Sequence, residues 1–303
     1  MTPRRLLPVP AALAALPLAL SLAMPASAAA PAAEAVVARP ITVGEELTWQ
    51  SRVMGEERKL AIYLPAGYAS GQGTFAFLYV IDGGIDQDFL HVSGTTALNT
   101  MLGRSQPVIV VGIETRDRQS ELTGPTAAAD LLKDYPDAGH ADRFRRFVRE
   151  EVMPMVSARY RGNGKRGVIG ESLAGLFIVE SALREPGLFQ RHAAISPSLW
   201  WDDARLSREA AELLRGRARA PRLYLNLASE GGAMEQGYDR LVTALAAREP
   251  MGNRWCALKR PDLAHSTIYH TVSPEAMQYL FPGDEKPLAG QEPPCAPRAE
   301  PAP

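Results

Sequence analysis

Two runs in the first half of the chain, 75–81 and 107–113, are apolar at every position. "FAFLYVI" (75–81) stops at Asp82-Gly83-Gly84, and "PVIVVGIE" (107–114) closes on an acid. Runs that are apolar on both alternating faces suit central strands of a parallel sheet covered on both sides. Upstream, residues 47–68 read as two strands joined by a turn at "MGEE", and Pro65 and Gly67 end the second. From 141 to 160 the period changes, with Phe144, Phe147, Val148 and Val152 at helical spacing. Strand and helix then alternate. Strands are predicted at 166–170, 192–198, 221–229 and 253–260, and helices at 173–186, 203–216, 238–249 and 273–281. Such alternation predicts an α/β fold with a mostly parallel sheet, flanking helices and right-handed crossovers. No internal repeat interrupts it, so residues 44–284 are expected to form one domain.

The ends read differently. "MTPRR" is a basic start, an Ala-, Leu- and Pro-rich apolar stretch follows, and Ala26-Ser27-Ala28 offers small residues for cleavage. Residues 1–28 are therefore expected to be a signal peptide, the alternative being an N-terminal membrane anchor. The expected location is periplasmic or secreted, with no stable membrane anchor, since no cysteine follows the cleavage site to carry a lipid. Residues 29–43 form a flexible lead-in and 285–303 a Pro-rich tail. Export places Cys256 and Cys295 in an oxidising compartment, where they form either a disulfide that ties the tail back or two free thiols. The formal net charge of −1 gives no reason to expect nucleic acid or an anionic membrane as partner.

Chemistry enters at "GVIGESLAGLF" (167–177). A serine between small residues carries weight as a nucleophile where a strand feeds a tight turn that opens a helix, and the predicted elements give Ser172 that setting. The pattern departs from Gly-x-Ser-x-Gly at Ala174, with Gly175 next to it. The alternative is a serine that only caps the helix. Five histidines are present. In a Ser–acid–His chain order the base lies downstream, and His265, in the loop after the last strand, is favoured over His270. His192 comes too early and is expected to be structural. For the acid, Glu230 directly follows the 221–229 strand; Glu235, Asp239 and Asp262 remain alternatives. The oxyanion hole is expected from the amide of Leu173 and from Gly83 or Gly84, where no Cβ blocks the approach. Trp200 and Trp201 follow the next strand and either wall a pocket or pack in the core. Arg116 and Arg118 either meet an anionic substrate or lie on a solvated loop.

With these residues together, the chain resembles the "Putative esterase" family of α/β-hydrolases, which includes ferric enterobactin esterases and related periplasmic hydrolases, with the esterase D type more distant. The resemblance runs from about residue 46 to 281 and rests on "SRVMGEERKLAIYLPAGY", "LYVIDGGIDQDF", "VVGIETRDRQSELT", "GVIGESLAGLF", "ISPSLWW" and "LAHST", in order and spacing. It implies Ser172 as nucleophile, His265 as base and an oxyanion loop at Asp82-Gly83-Gly84; Glu230 is less firmly placed by it. The implied activity is serine carboxylic-ester hydrolysis through an acyl-enzyme, without metal or organic cofactor, on a small-molecule ester such as a siderophore lactone. An acyltransferase or peptidase on the same residues, or an idle fold that only binds a ligand, are the alternatives. An idle homologue is expected to have lost Ser172 or His265, and both are present. The oligomeric state is not legible.

Overall fold

All seven residues of the 75–81 run are buried, as a strand covered on both faces requires. The computed structural model describes residues 37–252, 254–285 and 295, and the folded unit begins at Val43. The expected signal peptide, much of the lead-in and most of the Pro-rich tail lie outside the described residues.

Strands β1 (Glu45–Gln50) and β2 (Glu57–Tyr63) form an antiparallel pair. β3 (Phe75–Ile81), β4 (Val108–Ile113), β5 (Gly162–Glu171), β6 (Arg191–Ile195), β7 (Leu223–Leu227) and β8 (Trp255–Lys259) run parallel to one another. The sheet has eight strands in the order β1-β2-β4-β3-β5-β6-β7-β8. From β3 the chain steps one way to β4, and from β5 it steps the other way through β6 to β8. A sheet of this kind opens a crevice at the carboxyl ends of the strands where the direction reverses, here between β3 and β5. The turn after β3 and Ser172 after β5 both lie at that point.

Helices cover both faces. Phe77, Tyr79 and Ile81 of β3 pack in a cluster with α4 (Ala141–Phe147), α6 (Leu173–Arg184), α7 (Trp201–Leu213) and α8 (Gly232–Arg248). Leu78 and Val80 pack on the other side with α1 (Phe89–Met101) and α9 (His265–Leu280). Two short helices, α2 (Arg118–Leu122) and α3 (Ala129–Asp134), lie between β4 and α4. The helix expected over 141–160 is α4, a π turn at Val148–Val152 and α5 (Met153–Arg159) in succession. Pro154 has no N–H to donate to an α ladder, and the wider turn directly precedes it.

The larger differences from the sequence expectation lie in the helices. α1 was not predicted, α8 begins at Gly232 rather than 238, and α9 begins at His265 rather than 273. The structure pairs Cys256 with Cys295 in a disulfide, their Cα atoms 5.7 Å apart. No helix among the described residues is long and apolar enough to cross a membrane.

Candidate active site

Ser172 stands alone between β5 and α6 with φ 61° and ψ −120°. A serine at positive φ is uncommon, and here the packing around it holds the turn. A Cβ on Gly170 would come within 2.7 Å of the Ala174 Cβ, and one on Gly175 within 3.0 Å of Ile195 O and Pro197 Cα. Strand and helix thus approach as closely as small residues permit, and Ala174 serves where a strict pattern has glycine. The Ser172 N–H donates to Ile195 O at 3.0 Å, and Ser172 O accepts from Leu176 N at 2.9 Å and Ser198 N at 3.0 Å. The Leu173 amide, at the N-terminus of α6, has no acceptor among the described residues. It is aimed where a helix end favours negative charge.

His265 is the first residue of α9, not part of a free loop. Its Nδ1 lies 2.7 Å from Glu230 Oε1. The segments just before them are clasped, since Ser229 donates to Leu263 O through both N and Oγ at 2.9 Å. Glu230 Oε1 also accepts from Ser196 Oγ, while Oε2 is sealed from solvent with no partner among the described residues. The other acids considered from sequence are engaged elsewhere. Glu235 and Asp239 both pair with Lys259 at 2.8 Å, and Asp262 pairs with Arg260 at 2.7 Å. His270 packs on His91, ring centroids 4.4 Å apart. His192 is buried, bonded at Nδ1 to Arg222 O at 3.1 Å, and burial pushes its pKa down to about 4. Ser172 Oγ rests 3.3 Å from Ser198 Oγ, and no hydrogen bond among the described residues joins it to His265.

The loop after β3 divides the two glycine candidates. Gly83 donates its amide to Ile113 O at 2.8 Å, which extends the sheet pairing and takes that donor out of the crevice. A Cβ on it would fall 2.5 Å from Gly112 Cα and 2.7 Å from Ile113 N, so close strand packing accounts for glycine there. The expectation that the Gly83 amide serves an oxyanion is corrected accordingly. Among the described residues Gly84 donates only to the Gln87 side chain, at 2.9 Å, which a rotamer change releases.

Two further expectations are corrected. Arg116 pairs with Glu56 at 2.9 Å and lines a cavity of about 470 Å³ with His140 and Arg143, which contains neither Ser172, Glu230 nor His265. Asp117 caps α2 and separates Arg116 from Arg118. It is Arg118 that turns to the crevice, its Nε 2.8 Å from Asp82 Oδ2. Trp201 is 4% exposed and packs in the core against Tyr135, whereas Trp200 is 38% exposed.

Sequence reasoning also missed a set of carboxyls here. Glu171 directly precedes Ser172, and burial pushes its pKa up to about 8, with Asp88, Glu230 and Asp82 adding and Arg118 opposing. Asp88 is pushed up to about 6 by burial and then by Asp82. Nothing in a one-dimensional pattern brings 82, 88 and 171 together; only the β3–β5 pairing does. Ser196 and Ser198, at the end of β6, were overlooked for the same reason. Among the described residues no group of three or more His, Cys, Asp or Glu is arranged to hold a metal ion.

A family model described as "Putative esterase" matches residues 51–259. The chain belongs to this family of esterases. The match starts in the β1–β2 turn and ends with β8, so it takes in the turns after β3 and β5. A *Bacillus subtilis* protein, the ferri-bacillibactin esterase BesA, is 36% identical over 109 residues, which are 32% of this chain and 38% of that protein. A siderophore enterobactin esterase of *Emericella nidulans* is 31% identical over 190 residues, 56% of this chain and 61% of that one. These matches thus span less than two thirds of the length of either relative. Among solved structures, an IroE-like serine hydrolase from *Shewanella oneidensis* superposes with TM-score 0.66 at 22% identity, covering 78% of this chain and 80% of that one. The BES protein from *Bacillus cereus* superposes with TM-score 0.69 at 20% identity over 81% of this chain and 99% of that one. The architecture is that of the α/β-hydrolases.

Proposed function

We propose that this protein is a serine carboxylic-ester hydrolase in which Ser172, His265 and Glu230 act in sequence. The observation that carries this reading is the His265–Glu230 contact of 2.7 Å at the strand ends beside Ser172. A carboxylate on Nδ1 fixes the imidazole tautomer, leaving Nε2 to take a proton. In the proposed reaction the Ser172 hydroxyl leaves Ser198 Oγ, 3.3 Å away, and donates to that nitrogen. As the Oγ–carbonyl bond forms, the proton passes to His265, and the carbonyl oxygen becomes an oxyanion. The Leu173 amide and, once Gln87 turns away, the Gly84 amide stabilise it. Collapse breaks the bond to the alcohol, which leaves with the proton held by His265. Water attacks the acyl-enzyme with His265 as base, and the acid is released.

For the substrate we propose a small ester of the siderophore class, a lactone included. The names of the similar esterases support this, as does Arg118 at the crevice, where its guanidinium suits an anionic group. Trp200, partly exposed after β6, offers an aromatic face. The location proposed is periplasmic or secreted, supported by the leader-like first residues and by the disulfide. The test is hydrolysis of p-nitrophenyl butyrate and of a catecholate trilactone, with Ser172→Ala alongside. Release of monomeric acid by the wild type and its loss in the variant support the reading; a variant as active as wild type refutes it.

A further inference from the structure

Ser196 is fully buried, follows the last residue of β6 and sits at φ 40°. Both of its polar groups are committed. Its N–H donates to Asn226, to the carbonyl O at 3.1 Å and to Oδ1 at 3.3 Å. Its Oγ accepts the Ala228 N–H at 3.0 Å, so a lone pair is occupied by the backbone of the segment leading to Glu230. Among the described residues the hydroxyl proton then has one acceptor, Glu230 Oε1, which is the oxygen that also meets His265 Nδ1. A serine hydroxyl carries a single proton, and an ionised carboxylate only accepts. The direction of each bond in this chain is therefore fixed by chemistry. With Oε2 unpartnered, every hydrogen bond that Glu230 makes among the described residues falls on Oε1, from Ser196 and His265 alone.

Resting on the Ser172–His265–Glu230 reading, we propose that Ser196 is a positioning residue for the reaction: its hydroxyl fixes the Glu230 carboxylate so that Oε1 faces His265. Without it, Glu230 keeps only the imidazole to hold it, and the carboxylate is free to rotate about its last torsion. The imidazole is then misaimed for the proton transfer, whereas substrate binding is untouched because Ser196 is sealed from the crevice. A loss in kcat with little change in KM follows.

The test compares wild type, Ser196→Ala, Glu230→Ala and the double variant, each normalised to the number of Ser172 sites labelled by a fluorophosphonate. Ser196→Gly is run as a second variant, because glycine accepts φ 40° without cost. The expected result is a kcat per labelled site lower by about tenfold to a hundredfold in either Ser196 variant, with KM changed by less than about threefold. In the Glu230→Ala background, removing the Ser196 hydroxyl changes kcat by less than about twofold, since the group it positions is gone. A role in folding alone lowers the labelled fraction or the Tm and leaves kcat per labelled site as in wild type. That result overturns the proposal, as does a full Ser196 effect that persists without Glu230. A folded wild type that is neither labelled at Ser172 nor active overturns the esterase reading itself, and this proposal with it.

Discussion

Replacing Glu171 by glutamine is expected to reverse the sign of a stability difference between mildly acid and mildly basic pH. The carboxyl lies one residue before Ser172, with Oε1 sealed from solvent and without a partner among the described residues. Burial comes first among the causes that push its pKa from 4.5 to about 8, followed by the charge of Asp88. In the folded protein the proton is therefore kept to about pH 8, whereas the unfolded chain releases it near 4.5. Between those values the folded state binds more protons, so stability falls as pH rises. This contribution is fully present below pH 4.5 and is lost by the time the folded group titrates near pH 8. At full value each pH unit in that window tilts stability by about 1.4 kcal/mol. Glu171 is only half-buried, and solvent screening reduces this; a total of about 2 kcal/mol is expected. Glutamine is neutral throughout and removes the slope. Urea unfolding of wild type and Glu171→Gln at pH 5, 6.5 and 8.5 reads it directly. The variant is expected to be equal or slightly weaker at pH 5 and more stable at pH 8.5. Asp88, pushed up to about 6, contributes a slope of the same sign, and His91, pushed down to about 4 by burial, one of the opposite sign. Both are common to the two proteins, so the difference isolates Glu171. A difference that stays constant from pH 5 to 8.5 refutes the reasoning.

Three other outcomes follow from named contacts. Gly83→Ala is expected to destabilise the fold by more than about 2 kcal/mol, because its Cβ meets strand backbone, while Gly84→Ala meets the movable Gln87 side chain at 3.0 Å and keeps the fold. Thermal melts of the two variants check this. Glu121→Ala removes the carboxylate that contacts the fully buried Arg58 at 2.5 and 3.0 Å and leaves it Glu56 at 2.9 Å, which is expected to cost about 2–3 kcal/mol in denaturant unfolding. Reduction of the Cys256–Cys295 bond, whose partners are 39 residues apart, is expected to raise the intact mass by about 2 Da and to lower stability by about 4 kcal/mol in the chain-entropy model.

The sheet was legible where burial is two-sided, as at 75–81, because such a strand leaves no polar residue to confuse the period. Helix α1 escaped for a matching reason. Ser93, Gly94, Thr95 and Thr96 are poor helix formers, and Leu90, Leu98 and Met101 are exposed on its outer side, so no polar face marks it. At α9, the predicted start at 273 puts Pro274 in the first turn, where proline is tolerated, yet Ile268, Tyr269 and Val272 bury against the sheet and carry the helix back to His265. Its start places the imidazole over the β7–β8 loops. The strand–turn–helix setting of Ser172 was readable because it depends on neighbours in sequence. The Gly83 amide, by contrast, is consumed by β4, and Arg116 and Arg118 part company at a helix cap; both outcomes depend on pairings made across the sheet. Ser196 belongs with these, since its partner lies 34 residues away.

The central claim is that Ser172 is a nucleophile served by His265 and Glu230. It is tested most directly by treating the folded protein with a small fluorophosphonate and mapping the adduct by peptide mass. The account predicts one adduct, on the peptide that carries Ser172, absent in Ser172→Ala and formed at least about a hundredfold more slowly in His265→Ala. An adduct on another residue, or labelling of Ser172 at an undiminished rate without His265, would contradict it.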